Sequence, residues 1–245
     1  MIQLDRTPKP IALTDELILT LTADYQKDNS KRVWAKDFIT KALLEMSHYK
    51  CCYSECKLDE KSNYMEVEHF YAKSLFPAKV VEWENLLPSS KKCNGTKLNL
   101  DVVQTPIINP VLDKPKEHLY LKAFRFYGKS VKGENTLKHL GLNDRKHWVT
   151  PRAKVADEIE KKLVDIEEQL EDLEKEKTQN RLVRNLKALM KEGTKTAEFS
   201  AITATFMLND SKYAIIKKNF QTQNLWGEEF VSIENEMRFC ELPID

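Results

Sequence analysis

The sequence predicts an α+β protein, mostly α-helical, with a small non-helical module embedded in helices and a C-terminal helical bundle or hairpin. Three observations carry that expectation. Apolar residues recur at helical spacing towards both ends of the chain. Only 6 glycines occur in 245 residues, which disfavours a turn-rich all-β fold. Between His48 and Asn99 the helical period breaks, and cysteines, short apolar pairs and turn residues take over.

Taken in order, the chain opens with Pro8 and Pro10. A first helix is expected from Thr14, where Thr14, Asp15 and Glu16 suit a helix N-terminus. A second is expected over 31–47, with Val33, Trp34, Phe38, Leu43, Leu44 and Met46 roughly on one face. After the module, Pro106, Pro110 and Pro115 punctuate the chain, a strand is expected over 119–127, and a helix over 135–140. Beyond Pro151, Val155, Ile159, Leu163, Ile166, Leu170 and Leu173 form the narrow apolar seam of a helix that packs on another helix. Its outer face is acidic. The next helical stretch turns basic, with Arg181, Arg184, Lys187 and Lys191, and Gly193 ends it. Two or three C-terminal helices follow from this pattern. The expected organisation is an N-terminal helical segment (1–47), the module (48–101), a mixed strand and helix extension (102–150) and a C-terminal helical region (151–245).

Composition bounds the function. No apolar run approaches the length of a membrane span, and the first residues lack the basic and apolar regions of a signal peptide, so a cytoplasmic protein with no membrane partner is expected. The formal net charge is +1, so no global field marks a polyanion partner, and any nucleic-acid enzyme of this composition must cluster its basic groups. No Gly-rich phosphate loop is present, which argues against nucleotide binding by this chain. Of 5 cysteines, four fall between Cys51 and Cys93. In a reducing compartment such a cluster points to metal binding or to small buried thiols, not to a disulfide framework.

The chemistry concentrates between Cys51 and Asp101. Tyr64-Met65-Glu66-Val67-Glu68-His69-Phe70 sets a carboxylate directly before a histidine at the end of an alternating run. Asn85 follows within Trp83-Glu84-Asn85-Leu86-Leu87, and then comes Cys93-Asn94-Gly95-Thr96-Lys97. In order and spacing this set resembles the HNH, or ββα-metal, nuclease family. The resemblance implies metal-dependent phosphodiester hydrolysis. It makes His69 the general base, Asn85 the group that holds the imidazole, and Glu68 and Asn94 the metal ligands. An oxygen pair suits a hard ion, Mg²⁺ above all or Mn²⁺. Alternation along a strand would send Glu68 and His69 to different sides. Lys97, one turn past Asn94, is expected to meet a phosphate, with Lys91 and Lys92 adding charge on the approach, as Lys73 does.

Many HNH proteins also bind a structural Zn²⁺ through two Cys-x-x-Cys pairs. Here the pairs would read Cys51-Cys52-Tyr53-Ser54 and Ser90-Lys91-Lys92-Cys93, each with one cysteine exchanged for serine. A serine hydroxyl stays protonated near neutral pH and is a poor zinc ligand. No structural zinc is therefore expected, and Cys51 and Cys93 read as remnant positions packed together as thiols.

A closer likeness runs through Val67-Glu68-His69-Phe70, Lys73-Ser74, Phe76-Pro77, Asn109-Pro110, Asp113, Glu117-His118-Leu119 and Leu140-Gly141-Leu142-Asn143. It resembles the PtuB-like HNH subunit of Septu-type and retron-associated anti-phage defence systems, over about residues 1–150. That implies a nuclease effector acting on DNA, with RNA such as tRNA as the alternative substrate, or a non-catalytic nucleic-acid-binding scaffold. It also implies a PtuA-like partner, an ABC/SMC-like ATPase. Asp113 and His118 are expected to form a structural hydrogen-bonded pair in preference to an accessory site.

Overall fold

The computed structural model describes residues 1–58, 64–173 and 175–245. The chain folds as two compact units: residues 3–118 and 127–142 with Met1, and residues 119–126 and 143–245 with Ile2. The fold is α+β, with two small two-stranded sheets among helices. No helix among the described residues is long and apolar enough to cross a membrane.

The first unit begins with a strap that precedes α1 (Asp15–Lys27). Thr14 caps this helix by accepting from the Leu17 N–H, as its residue type suggests. Leu21 and Tyr25 of α1 pack with Val33, Val80 and Val81, and Trp34 lies against the same cluster. The second helix, α2, is shorter than the sequence pattern suggests, Asp37–Met46. Residues 31–36 instead form turns, which frees Val33 and Trp34 to fill the space beside α1.

The module then supplies β1 (Met65–His69), β2 (Leu86–Ser90) and α3 (Lys91–Lys97). β1 and β2 are antiparallel, with Glu66 opposite Ser89 and Glu68 opposite Leu87. Ser90 ends β2 and caps α3 through the Cys93 N–H. Strand, strand and helix are thereby joined without slack between the last two. Later come a short helix, α4 (Pro115–His118), and α5 (Val131–Leu140), which Ser130 caps through the Gly133 N–H. At Gly133 a Cβ would lie 2.1 Å from the His118 carbonyl oxygen, so only glycine allows this approach.

The strand expected over 119–127 is in fact a hairpin, β3 (Leu119–Lys122) and β4 (Arg125–Gly128). Its loop residues Ala123 and Phe124 both have positive φ, 45° and 63°. That is the backbone of a tight hairpin turn, which normally selects Asn or Gly. The missing glycine signal is why the pattern reads as one strand.

Among the described residues the second unit holds five α-helices, where two or three are expected: α6 (Thr150–Glu167), α7 (Glu176–Lys191), α8 (Ser200–Leu208), α9 (Ser211–Thr222) and α10 (Glu228–Cys240). The α6 seam buries Ile159, Leu163 and Ile166, but Leu170 falls in a separate 3₁₀ turn, Leu170–Asp172. Glu167, Glu168, Glu171 and Asp172 crowd the point where a helix C-terminus would be, and negative charge there is unfavourable. α8 is apolar nearly all round and is buried along almost its whole length. A helix of that kind shows no amphipathic period to read.

Candidate functional site

β1 sets the site, because alternate side chains leave a strand on opposite faces. Glu66 and Glu68 share the face covered by α3, where two rungs form. Asn94 Nδ2 donates to Glu66 Oε2 at 2.7 Å, and Lys97 Nζ pairs with Glu68 Oε1 at 2.6 Å. One helical turn separates Asn94 from Lys97, so an i, i+3 pair on the helix meets an i, i+2 pair on the strand. Lys97 also donates to the His69 carbonyl oxygen at 2.8 Å, and Tyr53 Oη donates to Glu68 Oε1 at 3.5 Å. Burial raises the Glu68 carboxyl above its ordinary range, although Lys97 pulls it back.

His69 ends the strand and leaves it on the other side. Its ring packs edge-on against Trp34, with centroids 4.8 Å apart, and Lys73 Nζ sits 4.9 Å from the same indole. Nε2 lies 2.9 Å from the Val80 carbonyl oxygen. A carbonyl only accepts, so Nε2 carries the hydrogen and Nδ1 keeps the lone pair. Burial above all, with the positive charge of Lys73, pushes the imidazole down to about 3 despite the Val80 bond. The ring is thus neutral at physiological pH.

Two expectations are corrected here. Asn85 does not touch the imidazole: its Oδ1 accepts from the Tyr71 N–H at 2.7 Å, and its Nδ2 donates to the carbonyls of Tyr71 at 3.1 Å and Lys79 at 2.9 Å. It clamps the loop that delivers the Val80 carbonyl, so it acts on His69 through the backbone. Lys97 is not a free phosphate contact either. Its side chain is buried against Glu68, whereas Lys91, at the start of α3, is exposed and Lys92 half-buried.

Outside this centre, Asp113 and His118 do not form a pair. Asp113 accepts from the Asn109 N–H and from Lys132, while His118 Nδ1 bonds Ser130 Oγ at 2.8 Å. The cysteines do gather. Cys51, Cys52, Cys56 and Cys93 are all buried thiols outside any disulfide. Burial raises the Cys51 thiol, but hydrogen bonds from Cys52, Cys56, Cys93 and Ser54 outweigh it and hold Cys51 well below its ordinary value. Burial and the Cys51 neighbour raise Cys52 and Cys93. Among the described residues, no group of three or more His, Cys, Asp or Glu side chains is placed to hold a metal ion.

No family model matches the chain. The Septu protein PtuB of Bacillus thuringiensis is 37% identical to it over 234 residues, which cover 94% of this chain and 90% of the relative. The chain belongs to the Septu PtuB family.

In this Septu PtuB family member, several groups around the site escape a reading of the sequence. The Val80 carbonyl has no side-chain signature. Glu66 is masked by the stronger Glu68-His69 pair, although its i, i+2 spacing puts it on the same strand face. Arg6 stands far away in sequence, yet its guanidinium donates to the carbonyls of Leu86 at 2.8 Å, Trp83 at 3.2 Å and Glu84 at 3.1 Å. It also stacks 5.5 Å from the Trp83 ring centroid, so the strap pins the entry to β2.

Proposed function

We propose that the chain is an HNH endonuclease that hydrolyses phosphodiester bonds of DNA with the help of a divalent ion. In this reading it is the nuclease effector of a Septu-type anti-phage defence complex, restrained or licensed by a PtuA-like ABC/SMC ATPase that binds the nucleotide. The observation that carries the reading is the His69 ring. It is held neutral, with its lone pair on Nδ1, directly beside Glu68 and across the strand from Asn94.

The donor set fits a hard ion. Glu68 Oε1 is engaged by Lys97 and Tyr53, which leaves Oε2, while Asn94 spends its Nδ2 on Glu66 and keeps Oδ1. Two oxygens leave further positions to water and phosphate, the coordination habit of Mg²⁺, and Mn²⁺ satisfies the same set. When bound, the ion supplies charge stabilisation for the phosphate and the leaving oxygen. His69 Nδ1 takes the proton from the attacking water, and the Nε2–H bond to Val80 holds the ring while it does so. Asn85 keeps that carbonyl in place, and Lys91 and Lys92 draw the phosphate in. Lys97 pairs with Glu68 and compensates its buried charge.

The test is purification with the ATPase, followed by cleavage assays on plasmid DNA and on total tRNA with Mg²⁺ and with EDTA. Mg²⁺-dependent cutting of DNA supports the reading. Cutting of tRNA alone moves the substrate to RNA, and no cutting of either leaves the scaffold role.

A further inference from the structure

We propose that Glu66 is a positioning residue that fixes which end of the Asn94 carboxamide faces the metal. The inference rests on the nuclease reading above and deepens it. A carboxamide has one end that binds cations, Oδ1, and one that repels them, Nδ2. Turning the terminal torsion by half a turn exchanges the two at little intrinsic cost, because that torsion is broad and two-fold. An asparagine ligand therefore needs something that accepts from its nitrogen.

Glu66 is that acceptor. Its Oε2 lies 2.7 Å from Asn94 Nδ2, the short distance of a hydrogen bond to a charged acceptor. The bond is cross-element, since Glu66 stands on β1 and Asn94 on α3, so it also fixes the helix against the strand at this rung. The neighbouring rung is already closed by Lys97 and Glu68, which are both buried. Among the described residues no ion pair of Glu66 competes with its bond to Asn94. A carboxylate pulling on Nδ2 also draws electron density towards Oδ1, which makes that oxygen a better donor to a hard ion.

This role differs from direct ligation by Glu66 in a measurable way. Glu66→Gln keeps an oxygen that accepts from Nδ2 but loses the charge, whereas Glu66→Ala loses both. Asn94→Asp removes the need for orientation, because both ends of an aspartate are oxygens, and it sets two carboxylates against each other.

The experiment measures Mn²⁺ and Mg²⁺ affinity of the full chain by titration calorimetry, with circular dichroism melts as the folding control and plasmid cleavage alongside. Glu66→Ala is expected to weaken ion binding by about 10- to 100-fold, the usual loss when a ligand's supporting partner is removed. Glu66→Gln restores most of it. In the Asn94→Asp background the sign reverses, and Glu66→Ala leaves ion binding unchanged or tightens it. That last arm keeps the proposal testable should the single Glu66→Ala chain fold poorly. Equal affinity of wild type and Glu66→Ala overturns the proposal, and so does a Glu66→Gln chain as weak as Glu66→Ala, since that marks a charged ligand. A wild-type chain that neither binds the ions nor cuts overturns the nuclease reading instead.

Discussion

Lys97 Nζ sits 2.6 Å from Glu68 Oε1, with both side chains almost wholly excluded from solvent. An ammonium thus occupies one oxygen of the carboxylate on which the proposed chemistry depends. Removing one member of such a pair strands the other as an uncompensated buried charge.

Lys97→Met should therefore destabilise the fold by about 3–5 kcal/mol, the range for breaking a buried ion pair from one side. Replacing both, Lys97→Met with Glu68→Gln, should cost much less, because no charge is left stranded. Urea unfolding followed by circular dichroism measures both. A double variant no more stable than Lys97→Met alone would contradict the pairing.

Asn85→Ala deletes three hydrogen bonds to the Tyr71–Lys79 loop, at about 1 kcal/mol each. The loss in stability should be about 3 kcal/mol, and cleavage should fall with it because the Val80 carbonyl is no longer held. The informative comparison is Asn85→Asp. Its oxygen can still accept from the Tyr71 N–H but cannot donate to the two carbonyls, so it should lie near Ala. An Asn85→Asp chain with full activity would restore a direct role on the imidazole.

The pH dependence follows from His69, which burial and Lys73 push down to about 3 from 6.5. The unfolded chain takes up a proton near pH 6.5 that the folded chain refuses until near pH 3. Stability from this group is complete above pH 6.5 and is lost as pH falls between those values, by at most about 1.4 kcal/mol per pH unit. His69→Gln should flatten that slope in thermal melts between pH 6.5 and 4. In the wild type, the acid limb of the cleavage profile should show no inflection at 6.5, because the ring is already neutral there. A clear inflection at that pH would show an exposed, ordinary imidazole.

For the cysteines, elemental analysis of the purified chain should return less than one zinc per molecule. Ser54 and Ser90 stand where the paired thiolates of a four-cysteine site would be, and their hydroxyls stay protonated. One tightly held zinc per chain would mean that Cys52 and Cys56 replace them.

Much of the site is readable from residue order, and the failures share a cause. Glu68, His69 and Asn94 can be placed because strand alternation and helix spacing depend only on local sequence. The helix from Thr14 is legible for the same reason, through its cap. What cannot be read depends on backbone or on distant segments. The bond to His69 comes from a carbonyl, and carbonyls are alike at every position. Residue order gives Asn85 a bond to the imidazole and Lys97 a phosphate, whereas burial turns them to a loop and to a carboxylate. Arg6 reaches β2 from the far end of the unit. α8 hides because a helix apolar on every side has no period, and the β3–β4 hairpin hides because Ala123 and Phe124 take a glycine-like turn without glycine.

The central claim is tested most directly by plasmid cleavage with wild type and His69→Ala, each purified with the proposed ATPase partner, in Mg²⁺ and in EDTA. The expected result is cutting by the wild type only with Mg²⁺, and a rate at least about 10²-fold lower for His69→Ala, the scale of a lost general base. Wild-type cutting in EDTA, or a His69→Ala rate equal to wild type, would contradict it.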